Sequence, residues 1–364
     1  MNKKVLATIL SFLMIAVLIA GCGGSSTPTS SIAPTAPASS TASAPASSST
    51  PSDPVANAIT VKWATILPPD HPFGVAYTKI AADVKEKSGG KINIEVYPSS
   101  QLGGEPELVN NCKLGIVDVV SIGPTELSKR ISDFLVFDCP FMFADKEHFQ
   151  KFIALDSPVG GEIYQKLEDQ EQMRVIMSIY NGARQLTTKN FPVNSVSDLT
   201  GKKIRCPNAQ GSIDMVEQVF KAQATPMNLA EVYLALQNGT VDGQENPVSN
   251  IYSNKFYEVQ QYINMTSHVQ SAGLVLMSMK TIEKIGQENY DLIMEAVRAE
   301  QADLDQMVTE FETEKLAEMQ SAGMEIVEPT DLKSFSDNAA VLIQKYESEG
   351  QWTTGMYEKI QALI

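Results

Sequence analysis

Two arginines, Arg184 and Arg205, stand in a stretch running from Asn181 to Pro247, and both have the chemistry to hold an anion. A guanidinium is planar, permanently charged and able to take both oxygens of a carboxylate at once. Arg205 lies in Lys202-Lys203-Ile204-Arg205-Cys206-Pro207, which follows the turn signal Asp198-Leu199-Thr200-Gly201 and reads as a short strand closed by proline. Alternation puts Ile204 and Cys206 on one face of that strand and Lys203 and Arg205 on the other. Arg184 follows Asn181-Gly182-Ala183, where an apolar run ends and glycine permits a change of direction. By spacing alone, pairing with an Asp or Glu on the surface is the favoured reading for either arginine, since most arginines in an acidic protein do so.

Catalytic signatures are missing from the sequence. It has no GxSxG, no GxxxxGK[ST], no HExxH, no dinucleotide GxGxxG and no EF-hand loop. His71, His148 and His268 lie far apart without metal-ligand companions, so neither a metal nor a cofactor is expected. Cys139 or Cys206 with His268 could form a nucleophile–base pair, but nothing local supports one. The net charge of −15 argues against nucleic acid or an anionic lipid surface as partner.

Residues 1–21 read as a secretory signal peptide, with Lys3-Lys4 ahead of an apolar run from Val5 to Ile19. Ile19-Ala20-Gly21-Cys22 resembles the bacterial lipobox, which implies cleavage before Cys22 and a lipid on its sulfur. Residues 22–56 then form a lipidated cysteine and a Ser/Thr/Ala/Pro-rich tether, too poor in apolar side chains to offset chain ordering. As a flexible coil it would span roughly 30 Å, holding a folded body near a membrane. Cys112, Cys139 and Cys206 are odd in number with no CxxC spacing, so free buried thiols are expected.

From Ile59 the pattern is α/β. Strands are expected at 59–66, 92–97 and 117–122, with helices at 72–88 and 106–114 between them, suggesting a parallel sheet. Residues 138–143 read as a packed loop, 145–155 and 158–172 as helices and 175–180 as a strand. A second unit has a strand at 202–206, helices at 211–221 and 229–237, and strands at 261–265 and 274–279. Asn228-Leu229-Ala230-Glu231 has the form of a capping box. Residues 287–321 contain neither Pro nor Gly and read as one helix of some 50 Å, long enough to brace two domains. A strand at 324–327 and two helices complete the chain.

The run Glu231-Val232-Tyr233-Leu234-Ala235-Leu236-Gln237-Asn238-Gly239-Thr240-Val241-Asp242-Gly243-Gln244-Glu245-Asn246-Pro247, with Ile204-Arg205-Cys206-Pro207 and Asn181-Gly182-Ala183-Arg184 before it, resembles the DctP-like solute-binding proteins of TRAP transporters. The likeness runs from about residue 59 to past 315 and includes Tyr97-Pro98-Ser99-Ser100-Gln101-Leu102-Gly103 and Lys255-Phe256-Tyr257-Glu258-Val259-Gln260. It implies a two-lobed, type II periplasmic-binding-protein-like fold with a long helix spanning both lobes. Residues 57–181 with 272–311 would form lobe I, and 182–271 with 312–364 lobe II. It further implies a monomeric lipoprotein outside the cytoplasm that closes on a small organic acid and delivers it to membrane permease subunits.

Arg205 matches the family's carboxylate-clamping arginine, with Cys206 where valine is usual. Arg184 matches its second arginine and Asn246 its Q-E-N-P asparagine, although Asn246 could also cap a helix begun by Pro247. Asn208 is a further candidate. Leu229 stands where sialic-acid-binding members carry an aromatic residue and Gly123 where they carry an acid, which argues against sialic acid. Trp63 and His71, flanking the end of the first strand, are candidates for the cleft wall, although Trp63 fits the core equally well and His71 before Pro72 also fits a helix-start turn; Glu126, if in the cleft, would repel a second carboxylate unless it bonds a hydroxyl or ammonium. Alternatives are a sensor presenting its closed form to a receptor kinase, an ABC-type binding protein and a lipid-anchored enzyme.

Overall fold

The computed structural model describes residues 58–364; the expected signal peptide, lipidated Cys22 and tether lie outside the described residues. The strands are β1 (Ile59–Thr65), β2 (Ile92–Tyr97), β3 (Val119–Ile122), β4 (Met173–Thr188), β5 (Lys203–Cys206), β6 (Gln223–Pro226), β7 (Gly243–Pro247), β8 (Tyr262–Asn264), β9 (Gln270–Ser278) and β10 (Glu325–Val327). They join in the order β2-β1-β3-β9-β4-β7-β5-β6, with β8 bridging β4 and β10. β1 runs parallel to β2 and β3, as the alternation of strand and helix predicts. Beyond β3 the sheet is mixed, because β9 pairs antiparallel with both β3 and β4.

β4 is far longer than the strand expected at 175–180. It continues through Gly182 by a bulge, where its register against β9 shifts between Tyr180 and Ala183. One strand therefore pairs with β9 at its start and with β7 and β8 at its end. Gly182 has φ +82, and a Cβ there would overlap the Glu312 carboxylate. Gly182→Ala combines left-handed backbone strain with that overlap and is expected to cost at least about 1–2 kcal/mol. An unchanged urea midpoint would refute this.

Helices α1 (Pro72–Lys87) and α2 (Glu105–Leu114) cross between the first three strands. The expected helices after residue 138 are α3 (Lys146–Ile153) and α4 (Gly160–Glu171), and their aromatic side chains pack with Phe134, Phe137 and Phe143. α5 (Gln210–Asp214) runs on into a π-turn, and α6 (Leu229–Gln237) and α7 (Val248–Ser253) flank β7. After α8 (Met279–Ile285) comes α9 (Gln287–Ser321), the single 35-residue helix read from the sequence.

Ile293, Val297, Leu304 and Val308 of α9 join the core built on β1 and α1, while Met319 joins the core around α6 and α7. On the way, Gln301 Nε2 donates to Ser178 O at 2.8 Å, and Glu312 Oε1 accepts Ser249 N–H at 3.3 Å. The last helices, α10 (Leu332–Glu349) and α11 (Met356–Gln361), diverge in their contacts. Phe335 of α10 packs on Phe220, whereas Ile360 O of α11 accepts from His148 Nε2 on α3 at 2.8 Å. Among the described residues no helix is long and apolar enough to cross a membrane. Cys112, Cys139 and Cys206 are free and buried.

Candidate functional site

β5 lies between β6 and β7, parallel to both. Ile204 and Cys206 enter the core, while Arg205 points from the other face and is only 3% exposed. Its Nε and Nη2 donate to Met227 O at 3.2 and 2.7 Å, and among the described residues Nη1 has no protein acceptor. Among the described residues no acid bonds this guanidinium. Burial lowers its pKa to about 10, against the pull of Glu245, so it remains a cation at neutral pH.

Arg184 is placed differently. On β4 it stands opposite Pro247 of β7, a strand whose Gln244, Glu245 and Asn246 are all buried. Its Nε and Nη2 engage the Glu245 carboxylate, the latter at 2.9 Å, and Nη2 also reaches Glu245 O at 2.8 Å and Asn246 Oδ1 at 3.3 Å. His268 Nε2 donates to Glu245 Oε2 at 3.3 Å, which leaves its Nδ1 to accept from the Thr266 hydroxyl at 2.7 Å. Burial alone would raise the Glu245 pKa; the Arg184 charge and the bonds from His268 and Arg184 bring it down to about 2. Of the two arginines that could pair with an acid, Arg184 does so.

Asn246 lies within β7 instead of capping a helix, since Pro247 ends that strand and occupies the cap position of α7. Its Nδ2 donates to Gln244 Oε1 at 2.5 Å, and its Oδ1 accepts from Arg184 and, at 3.3 Å, from Asn250 Nδ2. Asn250 Oδ1 in turn lies 3.0 Å from His71 Nε2. His71 caps α1, with Nδ1 accepting Phe73 N–H at 3.1 Å, so Nε2 carries the ring proton and donates to Asn250. Burial lowers the His71 pKa to about 4, against the bond to Asn250, and keeps the ring neutral.

Arg184, Arg205, Asn246 and Asn250 border a cavity of about 190 Å³. Arg205, Arg184, Asn246, Asn208 and Leu229 all line it, so five residues spread over the sequence meet at one place. Trp63 and His71 do not line it. Trp63 shares a strand face with Ile59 and Val61, and that alternation carries it into the core against Tyr77, with ring centroids 4.7 Å apart. His71 stands behind the wall and acts on the cavity through Asn250.

Sequence reasoning missed Glu105, Asn250 and the pairing of Glu245 with Arg184. Glu105 opens α2 beside a glycine pair that reads simply as a turn, and its Oε1 accepts Gly123 N–H at 2.6 Å. Burial raises its pKa, opposed by that bond and by the two arginines. Glu126 does line the cavity, with Lys129 Nζ at 2.6 Å from its carboxylate. The remaining wall is apolar, including Ile66, Phe73, Ile122 and Met227. Among the described residues no cluster of His, Cys, Asp or Glu is arranged to hold a metal ion.

Residues 63–349 match the family described as bacterial extracellular solute-binding protein, family 7, or DctP. The chain belongs to this family. The DctP-family chain is 32% identical over 271 residues to the sialic acid-binding periplasmic protein of Vibrio cholerae, covering 74% of this chain and 83% of the relative. In structure it is similar to a TRAP periplasmic solute binding protein from Polaromonas bound to D-erythronate, with 28% identity, a TM-score of 0.77 and coverage of 84% of this chain and 98% of that one. A Haemophilus influenzae TRAP protein with bound L-gulonate gives 26% identity and a TM-score of 0.79, covering 84% and 100%. The two-lobed, type II fold is thus the fold of this DctP-family protein, an extracytoplasmic solute-binding protein.

Proposed function

We propose that this protein captures a small organic acid by its carboxylate at Arg205, closes two lobes over it and hands it unchanged to a TRAP membrane permease. The observation that carries this is a buried guanidinium beside a cavity, oriented by a backbone carbonyl, with Nη1 unused and no acid bonded to it among the described residues. Such a group is desolvated before the ligand arrives, and a carboxylate supplies the charge and acceptors that the protein withholds. Arg184 and Asn246, fixed by Glu245 and Gln244, form the adjoining wall and offer the ligand further donors.

Lobe I is taken as residues 57–181 with 272–311 and lobe II as 182–271 with 312–364. Glu105 and Thr125 come to the cavity from the first, Arg205 and Asn228 from the second. β4, β9 and α9 run from one to the other, and the bulge at Gly182 is a natural flexing point. A ligand favours the closed form only by binding it better than the open one. Within this proposal Cys22 carries a lipid and the following tether lets a monomeric body reach the permease.

The test is mass spectrometry of whatever leaves the purified protein on unfolding, joined to a thermal-shift panel of organic acids. A carboxylate-bearing compound should be released intact and should raise the melting temperature when added back. Release of a compound without a carboxylate, or no shift with any acid, would overturn the proposal.

A further inference from the structure

Asp138 ends the 3₁₀ segment Ser132–Asp138 and is buried. Its Oδ1 accepts from Thr125 Oγ1 at 2.6 Å, and Thr125 lines the cavity. Its Oδ2 is also buried but has no hydrogen-bond partner among the described residues. The neighbour on that side is Gly211 of α5, where even a Cβ would stand 2.7 Å from Oδ2. Under the proposed boundaries Asp138 belongs to lobe I and Gly211 to lobe II, so the lobes meet on this carboxyl. Arg184 of β4 draws it towards ionisation, and Glu245 of β7 and Glu105 of α2 oppose that pull. α5 contributes Asp214, bonded to Gln210, Gln218 and the Tyr346 hydroxyl of α10. On the segment that carries Thr125, Glu126 is paired with Lys129. None of these groups donates to Oδ2.

From this enclosure we infer that capture of the organic acid takes up one proton from solvent, held on Asp138. The inference deepens the proposed function and rests on Arg205 taking the ligand's carboxylate and on the lobes closing. Two causes act in the same direction. Closing α5 over Oδ2 removes water from a carboxylate oxygen and supplies no donor in exchange, a loss far heavier for the ion than for the neutral acid. The ligand then adds a negative charge where Arg184 is already matched by Glu245. A neutral Asp138 answers both, and no bond of the ligand changes. Burial accordingly raises the Asp138 pKa to about 7, against the Thr125 bond and the Arg184 charge, with Glu245 and Glu105 adding to the rise. In an open cleft the same oxygen meets water and ionises in the ordinary range. Linkage is reciprocal, so the proton strengthens ligand binding by the factor with which the ligand strengthens proton binding.

The experiment is calorimetric titration of wild type and Asp138→Asn with D-gluconate, D-glucuronate, L-lactate and pyruvate in turn. Each is ionised above about pH 6, so none carries a proton into the site. Phosphate and imidazole buffers differ widely in their heat of ionisation, and the difference in observed heat counts the protons taken up. Asparagine keeps the planar shape and the carbonyl oxygen for Thr125 but has no charge to neutralise. Because the pKa is higher in the bound form, binding is favoured as pH falls, and this contribution is lost as pH rises through about 7. Wild type should take up about half a proton more than Asp138→Asn at pH 7, and close to one more at pH 6. Its affinity should fall about tenfold between pH 6 and pH 8.5, a fall that Asp138→Asn loses.

Binding without proton uptake in wild type overturns the inference and leaves the clamp in place, whether or not the variant folds. So does an equal proton count in Asp138→Asn, which would place the proton on another acid such as Glu105. If neither these four compounds nor any acid of the wider panel binds, the clamp reading fails and takes the inference with it.

Discussion

Arg205→Ala is expected to abolish measurable binding of the cognate acid while leaving the protein folded. Removing one partner of a buried, charge-assisted pair costs about 3–5 kcal/mol, or roughly 10²–10³ or more in affinity. The free protein should tolerate the change, because among the described residues the guanidinium is bonded only to Met227 O and no acid is left unpaired. Arg205→Lys tests geometry separately from charge. A lysine ammonium keeps the cation but cannot hold Met227 O while presenting a planar edge to the ligand, so it should also bind poorly. Calorimetry with the acid recovered from wild type gives the answer, and near-wild-type affinity in Arg205→Ala would dismiss the assignment.

Glu245→Ala should show the opposite profile, with a large loss of stability. It strands Arg184 inside the wall, hydrogen-bonded among the described residues only to the Asn246 and backbone carbonyls and with the Asp138 and Glu105 charges acting on it without bonding it, and it leaves His268 Nε2 without its acceptor. Leaving a buried charge without its partner costs about 3–5 kcal/mol. The sign with pH follows from the depressed carboxyl. Its stabilisation is complete above the ordinary value of 4.5 and drains away as pH falls towards about 2. Urea midpoints at neutral pH should therefore differ strongly between wild type and variant, and the gap should narrow as pH falls below 4.5. A gap below about 1 kcal/mol at neutral pH would mean that the pair contributes no more than a surface ion pair.

The contrast between these variants explains what the sequence could and could not convey. Arg205 was legible because β5 is an ordinary alternating strand: Ile204 and Cys206 face the core, so Arg205 must face the other way. The long helix was legible from an unbroken 35-residue run with a recurring apolar stripe. β7 was not, because Gly243–Pro247 contains no apolar alternation, and its polar residues are buried on partners supplied by other strands. The same strand hid the fate of Arg184, whose acid lies 61 positions away and meets it only through the β4–β7 register. Gly182 misled in its own way. Glycine usually marks a turn, but here it lets a strand carry a bulge without ending. Trp63 was legible only in part: its alternation with Ile59 and Val61 points to the core, where it lies, while its nearness to the strand end points to the cleft.

The buried thiols have a consequence for how the chain must live. Cys112, Cys139 and Cys206 are shielded by folding alone, and burial raises the pKa of each, Cys206 to about 12, so little reactive thiolate exists in the native state. Outside the cytoplasm, however, a chain that lingers unfolded exposes three nucleophilic sulfurs to oxidants, and no correct pairing is available to rescue them. Recovery of active molecules after denaturation is then a race between collapse and covalent scrambling, won or lost by how quickly the interior closes.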